Sequence, residues 1–233
     1  MTNKDIETHF NESCARRNEF WTSVGKVDPD VLGHVINPTF MDGPRWPSLR
    51  QSFIIVRKNT STIIASDGLS DPFDDIDESP NGEACNGFGL EFYVETPGNL
   101  EPVIGSWQFE LVWQMSQNAA HAGNIQSLLR KLKYMTTELY DVSVPKEFHG
   151  DEERTGVLVG LHSNTVPSQV ELSLETVDIV NVKLLTLKEL QYVIKHGKEG
   201  REQLANLLLQ QDNPTYSDLS RKSVVPSKAW WKI

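Results

Sequence analysis

Apolar residues along this chain change their period several times, and each change marks an element. Ile6, Phe10 and Cys14, then Phe20 and Trp21 beyond Arg17, recur at helical spacing through residues 3–24, and Val24-Gly25-Lys26 ends the run. A Pro- and Gly-rich stretch, 28–47, follows, with one short strand expected at His34-Val35-Ile36-Asn37. Residues 53–57 and 62–65 are β-branched and apolar on either side of Lys58-Asn59-Thr60, the pattern of a hairpin. Phe88, Leu90, Phe92 and Val94 then alternate with Gly89, Glu91, Tyr93 and Glu95, which predicts a half-buried strand.

From Trp107 the period lengthens. Trp107, Leu111 and Met115 recur at four; after Gly123, Ile125, Leu128, Leu129, Leu132 and Met135 recur at three and four, so the region is helical with one apolar face turned to a core. Polar residues 144–154 read as a loop, 157–161 as a strand, and Val170, Leu172 and Leu174 as an alternating strand. Val177 and Ile179 then fall out of phase with Val180, Val182 and Leu184, which predicts a bend or bulge between two strand pieces. Thr186 stands three residues before Glu189, with Leu185 and Leu190 flanking, a capping box with a hydrophobic staple that fixes a helix start. That helix should falter near Gly197 and Gly200 and stop before Asn213-Pro214.

These elements predict an α+β fold, a mixed and largely antiparallel sheet packed against helices in a single domain. An N-terminal helix, 1–27, precedes the body, 28–212, and a basic aromatic tail, 213–233, follows it. In the tail Arg221, Lys222, Lys228 and Lys232 oppose Asp218, and Trp230, Trp231 and Ile233 lie at the end. Such an arm either docks on an acidic surface or packs on its own domain.

A chain of 233 residues is long enough to bury a core, and 38% hydrophobic content is ordinary for a water-soluble fold. No apolar run approaches the ~20 residues of a membrane span, and the first residues lack a signal-peptide core, which gives a cytoplasmic reading. Cys14 and Cys85 lie far apart in unlike contexts, and no disulfide is expected. The net charge of -10 repels nucleic acid and anionic membranes and attracts basic proteins.

The chain contains no nucleophile elbow, phosphate loop, zinc helix or paired C-x-x-C, and its six histidines have no metal-ligand spacing. Gly87-x-Gly89 enters a strand, whereas a phosphate-binding glycine pattern enters a helix. Asp67, Asp71, Asp74, Asp75, Asp77 and Glu78 place six carboxylates within twelve positions. They could group around Ca²⁺, but their spacing is not that of an EF-hand and Pro72 interrupts them, so no metal and no cofactor are assigned. The segment, broken by Gly68, Pro72, Pro80, Gly82 and Gly87, is expected as a surface loop that meets a protein partner. Trp46, between Arg45 and Pro47, is either a further partner contact or a lid on the core.

Asp67-Gly68-Leu69-Ser70-Asp71, the acidic insert and Gly87-Phe88-Gly89-Leu90-Glu91-Phe92 together resemble the Suppressor of fused family, which shows a G-L-S-D step followed by a G-F-G-[FL]-E strand. Trp107 opening a helix, and the 182–186 strand end running into a Leu-Lys-Glu-Leu helix start, fit in the same order, so the resemblance spans residues 30–212. It implies a non-catalytic module that sequesters a protein partner. The chain lacks the second lobe of the animal proteins and resembles the short bacterial members, for which an immunity role against a polymorphic toxin, with a basic toxin domain as partner, is implied. Two other readings stand beside it: a hydrolase using Asp74 with Glu91 or Asp71 with Asp75, and a self-associating structural subunit.

Overall fold

The computed structural model describes residues 3–33, 36–74, 79 and 82–226. Among these, nine strands form one sheet: β1 (Lys26–Val27), β2 (Leu32–Gly33), β3 (Ser52–Arg57), β4 (Ser61–Asp67), β5 (Leu90–Pro97), β6 (Met135–Leu139), β7 (Thr155–Leu161), β8 (Gln169–Glu171) and β9 (Thr176–Leu184). The main path runs β1-β3-β4-β5-β9-β7-β6, with β2 on β3 and β8 on β9. Every pairing is antiparallel except β5 with β9, where Leu90 sits opposite Asp178 and Tyr93 opposite Asn181. The fold is α+β, a mixed and largely antiparallel sheet packed against helices in a single domain.

Alternation along the strands builds two cores. Phe53, Ile55, Ile64, Leu90, Phe92, Val94, Val180 and Val182 point to one face, where α2 (Trp107–Ala122) and α3 (Ile125–Leu132) supply Leu111, Val112, Met115 and Leu129. On the opposite face α1 (Asn3–Val24) lays Trp21 against Ile54, Val56, Ile63, Ala65 and Tyr93. Further along that face α4 (Leu187–Leu209) packs Val193, Leu204 and Leu208 against Leu158 and Leu161. Each large apolar side chain taken out of water here contributes about 1.5–3 kcal/mol. Capping fixes where the helices begin. Ser106 Oγ accepts from Phe109 N at 3.3 Å, and Thr186 and Glu189 exchange side-chain and backbone bonds at 3.4 and 2.9 Å.

Several expectations are corrected. Met135 does not extend the helix: Lys133 turns left-handed at φ 66 and Met135 opens β6. Leu172 and Leu174 are not strand, because Leu172 N bonds Glu175 O at 3.0 Å in a turn that leaves β8 three residues long. Strand β9 is continuous across its phase change, since both of its faces are covered and apolar residues serve either one. The irregularity lies opposite, in β7 between Val159 and Leu161, where Gly160 takes φ 100 and a Cβ would meet Lys133 O at 2.7 Å. The strand expected at 34–37 falls partly outside the described residues; β2 ends at Gly33 and Ile36 is exposed. Strand β5 is buried on both faces rather than half-buried. Gly197 kinks α4 as expected, whereas the helix runs on through Gly200. Residues 213–226 run back over the sheet, with Tyr216 bridged to Glu95 and Val225 in the α4 core.

Candidate functional site

The two halves of the motif meet on the α1 side of the sheet. Glu91 lies near the start of β5 with its side chain turned away from the Phe92 core, and the turn after β4 wraps it. Gly68 N and Ser70 N donate to Glu91 Oε1 at 3.0 and 2.9 Å, Ser70 Oγ donates to the same oxygen at 2.6 Å, and Ser66 Oγ donates to Oε2 at 2.5 Å. Gly68 is required here, because at φ 158 a Cβ would stand 2.3 Å from Arg50 O. Burial pushes the Glu91 carboxyl above its ordinary range; Arg17 opposes this, and Asp67 adds to it.

A second layer holds the aspartates. Arg17, reaching in from α1, donates through Nε to Asp67 Oδ1 at 2.8 Å, through a terminal nitrogen to Asp71 Oδ1, and to Ser70 Oγ at 3.1 Å. Arg50 donates to Asp67 Oδ2 at 2.7 Å and to both Asp71 oxygens at 3.0 Å, while Ser48 Oγ donates to Asp71 Oδ2 at 2.6 Å. Burial alone would raise the Asp67 carboxyl, but Arg17 and Arg50 outweigh it and hold it below its ordinary value. Asn86 ties the hub to its surroundings, donating to Ser13 Oγ at 2.8 Å and Ser70 O at 3.1 Å, and accepting from Leu174 N and Glu175 N at 2.9 and 3.1 Å.

The expected partner-facing residues therefore divide. Asp71 and Trp46 are both 0% exposed and present no surface, while Asp67 is held by the two arginines with 15% of its side chain left exposed. The reason is that Arg17 and Arg50, remote in sequence, neutralise the aspartates, while Trp46 packs edge-on against Phe53, lidding the core. Asp74 is at the surface with 40% of its side chain exposed, paired with Arg45 at 2.7 Å. Asp75, Asp77 and Glu78 lie outside the described residues, as do Trp230, Trp231 and Ile233.

Sequence reasoning missed Arg17, Arg50, Ser70 and Asn86. One signal was present: Arg17 shares the apolar stripe of Phe10, Cys14 and Trp21 at intervals of four, three and four, and a cation on a buried stripe needs a buried anion. Chemically the hub is closed. Both oxygens of Glu91 and of Asp71 are engaged, so neither is disposed to act as a base or nucleophile. Among the described residues, no three His, Cys, Asp or Glu side chains converge to hold a metal ion. Cys14 and Cys85 are free thiols, both raised by burial, Cys85 to about 11. No helix among the described residues is long and apolar enough to cross a membrane.

Two surface features flank the hub. A cavity of about 460 Å³ lies between α1 and residues 26–31, lined by Asn18, Trp21, Val27, Val31 and Ile54, with Asp67 at its edge. Nearby, the 3-10 turn Pro38–Met41 presents Phe40 and Met41 to solvent, 74% and 70% exposed. Asn37 locks that turn, accepting from Thr39 N at 3.0 Å and donating to Leu49 O.

A mixed sheet with one parallel central pair, helices on both faces and a wrapped buried glutamate at its middle strand defines an α+β scaffold. Its fold is Suppressor of fused-like. A chain of the Sufu–Fu complex crystal structure superimposes with a TM-score of 0.57 at 13% identity, over 93% of this chain and 92% of that one. The Drosophila Suppressor of Fused crystal structure matches with a TM-score of 0.50 at 14% identity, over 74% of this chain but 42% of that one. No protein-family model matches the chain, and no curated protein matches it in sequence.

Proposed function

We propose that this protein is a non-catalytic binding module that sequesters a protein partner in the cytoplasm, and that the partner is a basic toxin domain, which makes the chain an immunity protein. The observation that carries the reading is the closed hub: the motif's carboxylates are spent on holding α1, β4 and β5 together, which leaves recognition to the surface around them. The likeness to a chain of the Sufu–Fu complex supports a protein as the ligand. The net charge of -10 supports a basic one, since opposite charge raises encounter rates.

The contact face is the Phe40–Met41 turn together with the acidic segment that continues from Asp74. An exposed aromatic and a methionine on a locked turn supply the apolar anchors of an interface, and Asp42 and Asp74 belong to its charged rim. The experiment is co-expression with the product of the adjacent reading frame, followed by titration of the purified pair. Phe40→Ala should weaken the complex by about tenfold or more, the behaviour of a hot spot, without moving the melting temperature. Asp74→Asn together with Asp75→Asn and Asp77→Asn should slow association and flatten its salt dependence. Failure of the pair to bind, or F40A binding as tightly as the parent, would sink the reading or its contact face respectively.

A further inference from the structure

A second cavity, of about 850 Å³, opens far from the motif between the end of α4, the returning 213–224 segment and the sheet, with Lys183, Gln210, Asn213, Asp218, Arg221 and Lys222 on its walls. Lys183 comes from β9 on the face shared with α4 and is 2% exposed. Its ammonium donates to the Tyr216 carbonyl, and among the described residues no carboxylate lies within ion-pair distance of it. The neighbouring anions are already committed. Glu189 accepts from Arg221 at 2.7 and 2.5 Å, from Val224 N at 2.9 Å and from Thr186 N at 2.9 Å. Asp218 accepts from Ser220 N and Oγ at 2.8 and 2.7 Å.

A buried ammonium with one neutral acceptor is a costly arrangement, and it is relieved either by losing the proton or by gaining a counter-ion. Burial first, then repulsion from Arg221, lowers Lys183 to about 7, with Glu189 and Asp218 offsetting only part of this. Other residues that carry donors line the same cavity. Arg221, whose Nε is buried without a hydrogen-bond partner, Lys222, which is exposed, and Gln210 and Asn213 all belong to its walls. Three cations thus stand against Asp218 and the already saturated Glu189, a local excess of positive charge in a chain of net charge -10.

We propose that this cavity binds a small anion carrying a carboxylate or phosphate group, with the Lys183 ammonium as its counter-charge and Lys222 and the Gln210 and Asn213 amides as further donors. The site is independent of the partner face. Titrating the full chain with inorganic phosphate and, separately, with acetate, in buffer free of other multivalent anions, tests it through the resonance of the Lys183 Cε methylene. One of the two should shift that resonance saturably, and the one that does so at lower concentration identifies the preferred group. Lys183→Met should weaken that binding by about tenfold or more, the loss expected for a charge-assisted hydrogen bond. It should also raise the melting temperature of the ligand-free protein, because it removes an uncompensated buried charge. Lys222→Glu, at an exposed position, tests the field without touching the core and should weaken binding severalfold. Absence of saturable shifts with both anions, or K183M and K222E binding as the parent does, would overturn the proposal.

Discussion

Replacing Asp71 by Asn changes one oxygen for an amide and removes one charge from the centre of the hub. In the parent, Asp71 accepts four hydrogen bonds, from Arg17, twice from Arg50 and from Ser48, and it is 0% exposed. The amide cannot accept at its nitrogen, which is then pressed against guanidinium and hydroxyl donors. Arg17, 1% exposed, keeps only Asp67 as a counter-charge. Removing one partner of a buried pair costs about 3–5 kcal/mol, chiefly through the charge left behind. For a domain of this size each kcal/mol moves the midpoint by about 2–4 °C, so D71N should melt about 6–20 °C below the parent. Asp74→Asn is the internal control: its pair with Arg45 is solvated on both sides and contributes about 0–1 kcal/mol. Urea and thermal unfolding of the two variants side by side, with Arg17→Met added to D71N, give the answer. Removing the stranded guanidinium should recover part of the loss. If D71N and D74N unfold within a degree of each other, the aspartate is a solvated loop residue and the hub is not what joins α1 to the sheet.

Glu91→Gln should be mild and Glu91→Ala severe, by about 2–4 kcal/mol in stability from denaturant unfolding, because the amide keeps an acceptor for Gly68 and Ser70 and a donor for Ser66, whereas Ala strands four buried donors. Glu91 and Asp67 act oppositely with pH. The raised Glu91 contributes stability that is full below the unfolded glutamate value, about 4.3, and is lost as pH rises through its folded value; E91Q should remove that alkaline-side decline. The lowered Asp67 contributes above about 3.9 and loses its share as pH falls through its depressed folded value, a limb that E91Q should leave in place. Lys183, lowered to about 7, contributes fully only above the unfolded lysine value and less as pH falls through 7. Stability should therefore rise with pH between about 7 and 10 by up to about 1.4 kcal/mol per unit, a slope absent in K183M when unfolding midpoints are measured across that range. Thr186→Ala should cost about 1–2 kcal/mol by removing the cap of α4, with loss of helical ellipticity smaller than the loss of stability.

What local sequence encodes was readable, and what depends on distant pairing was not. The capping box of α4, the 58–60 turn and the break at Gly123 each follow from residues within a few positions of one another, and each stands where the pattern placed it. Asp67 and Asp71 turn inward for the opposite reason: their counter-charges arrive from Arg17, 50 and 54 positions away, and Arg50, 21 away from Asp71, so charge density along the chain said nothing about charge density in space. The parallel pairing of β5 with β9 was equally hidden, as was the cover that the turn after β4 and Arg17 of α1 lay over Glu91, which looked solvent-facing and is buried. Strand β6 was lost because Lys133 adopts the left-handed turn that Gly or Asn usually announces.

That central pairing also decides where a ligand fits. It places Glu91 and Glu95 from β5, and Lys183 from β9, on the face between α1 and α4, where a polar group must find a partner inside the protein. Glu91 has four donors, and Glu95 has Lys58 at 2.9 Å and Ser61 at 2.7 Å. Lys183 has one carbonyl and a cavity. A sheet that satisfies its buried glutamates so fully, yet leaves a lysine beside an open space, is built to accept the missing charge from outside, and the anion titration bears on this point of the fold more directly than on any other.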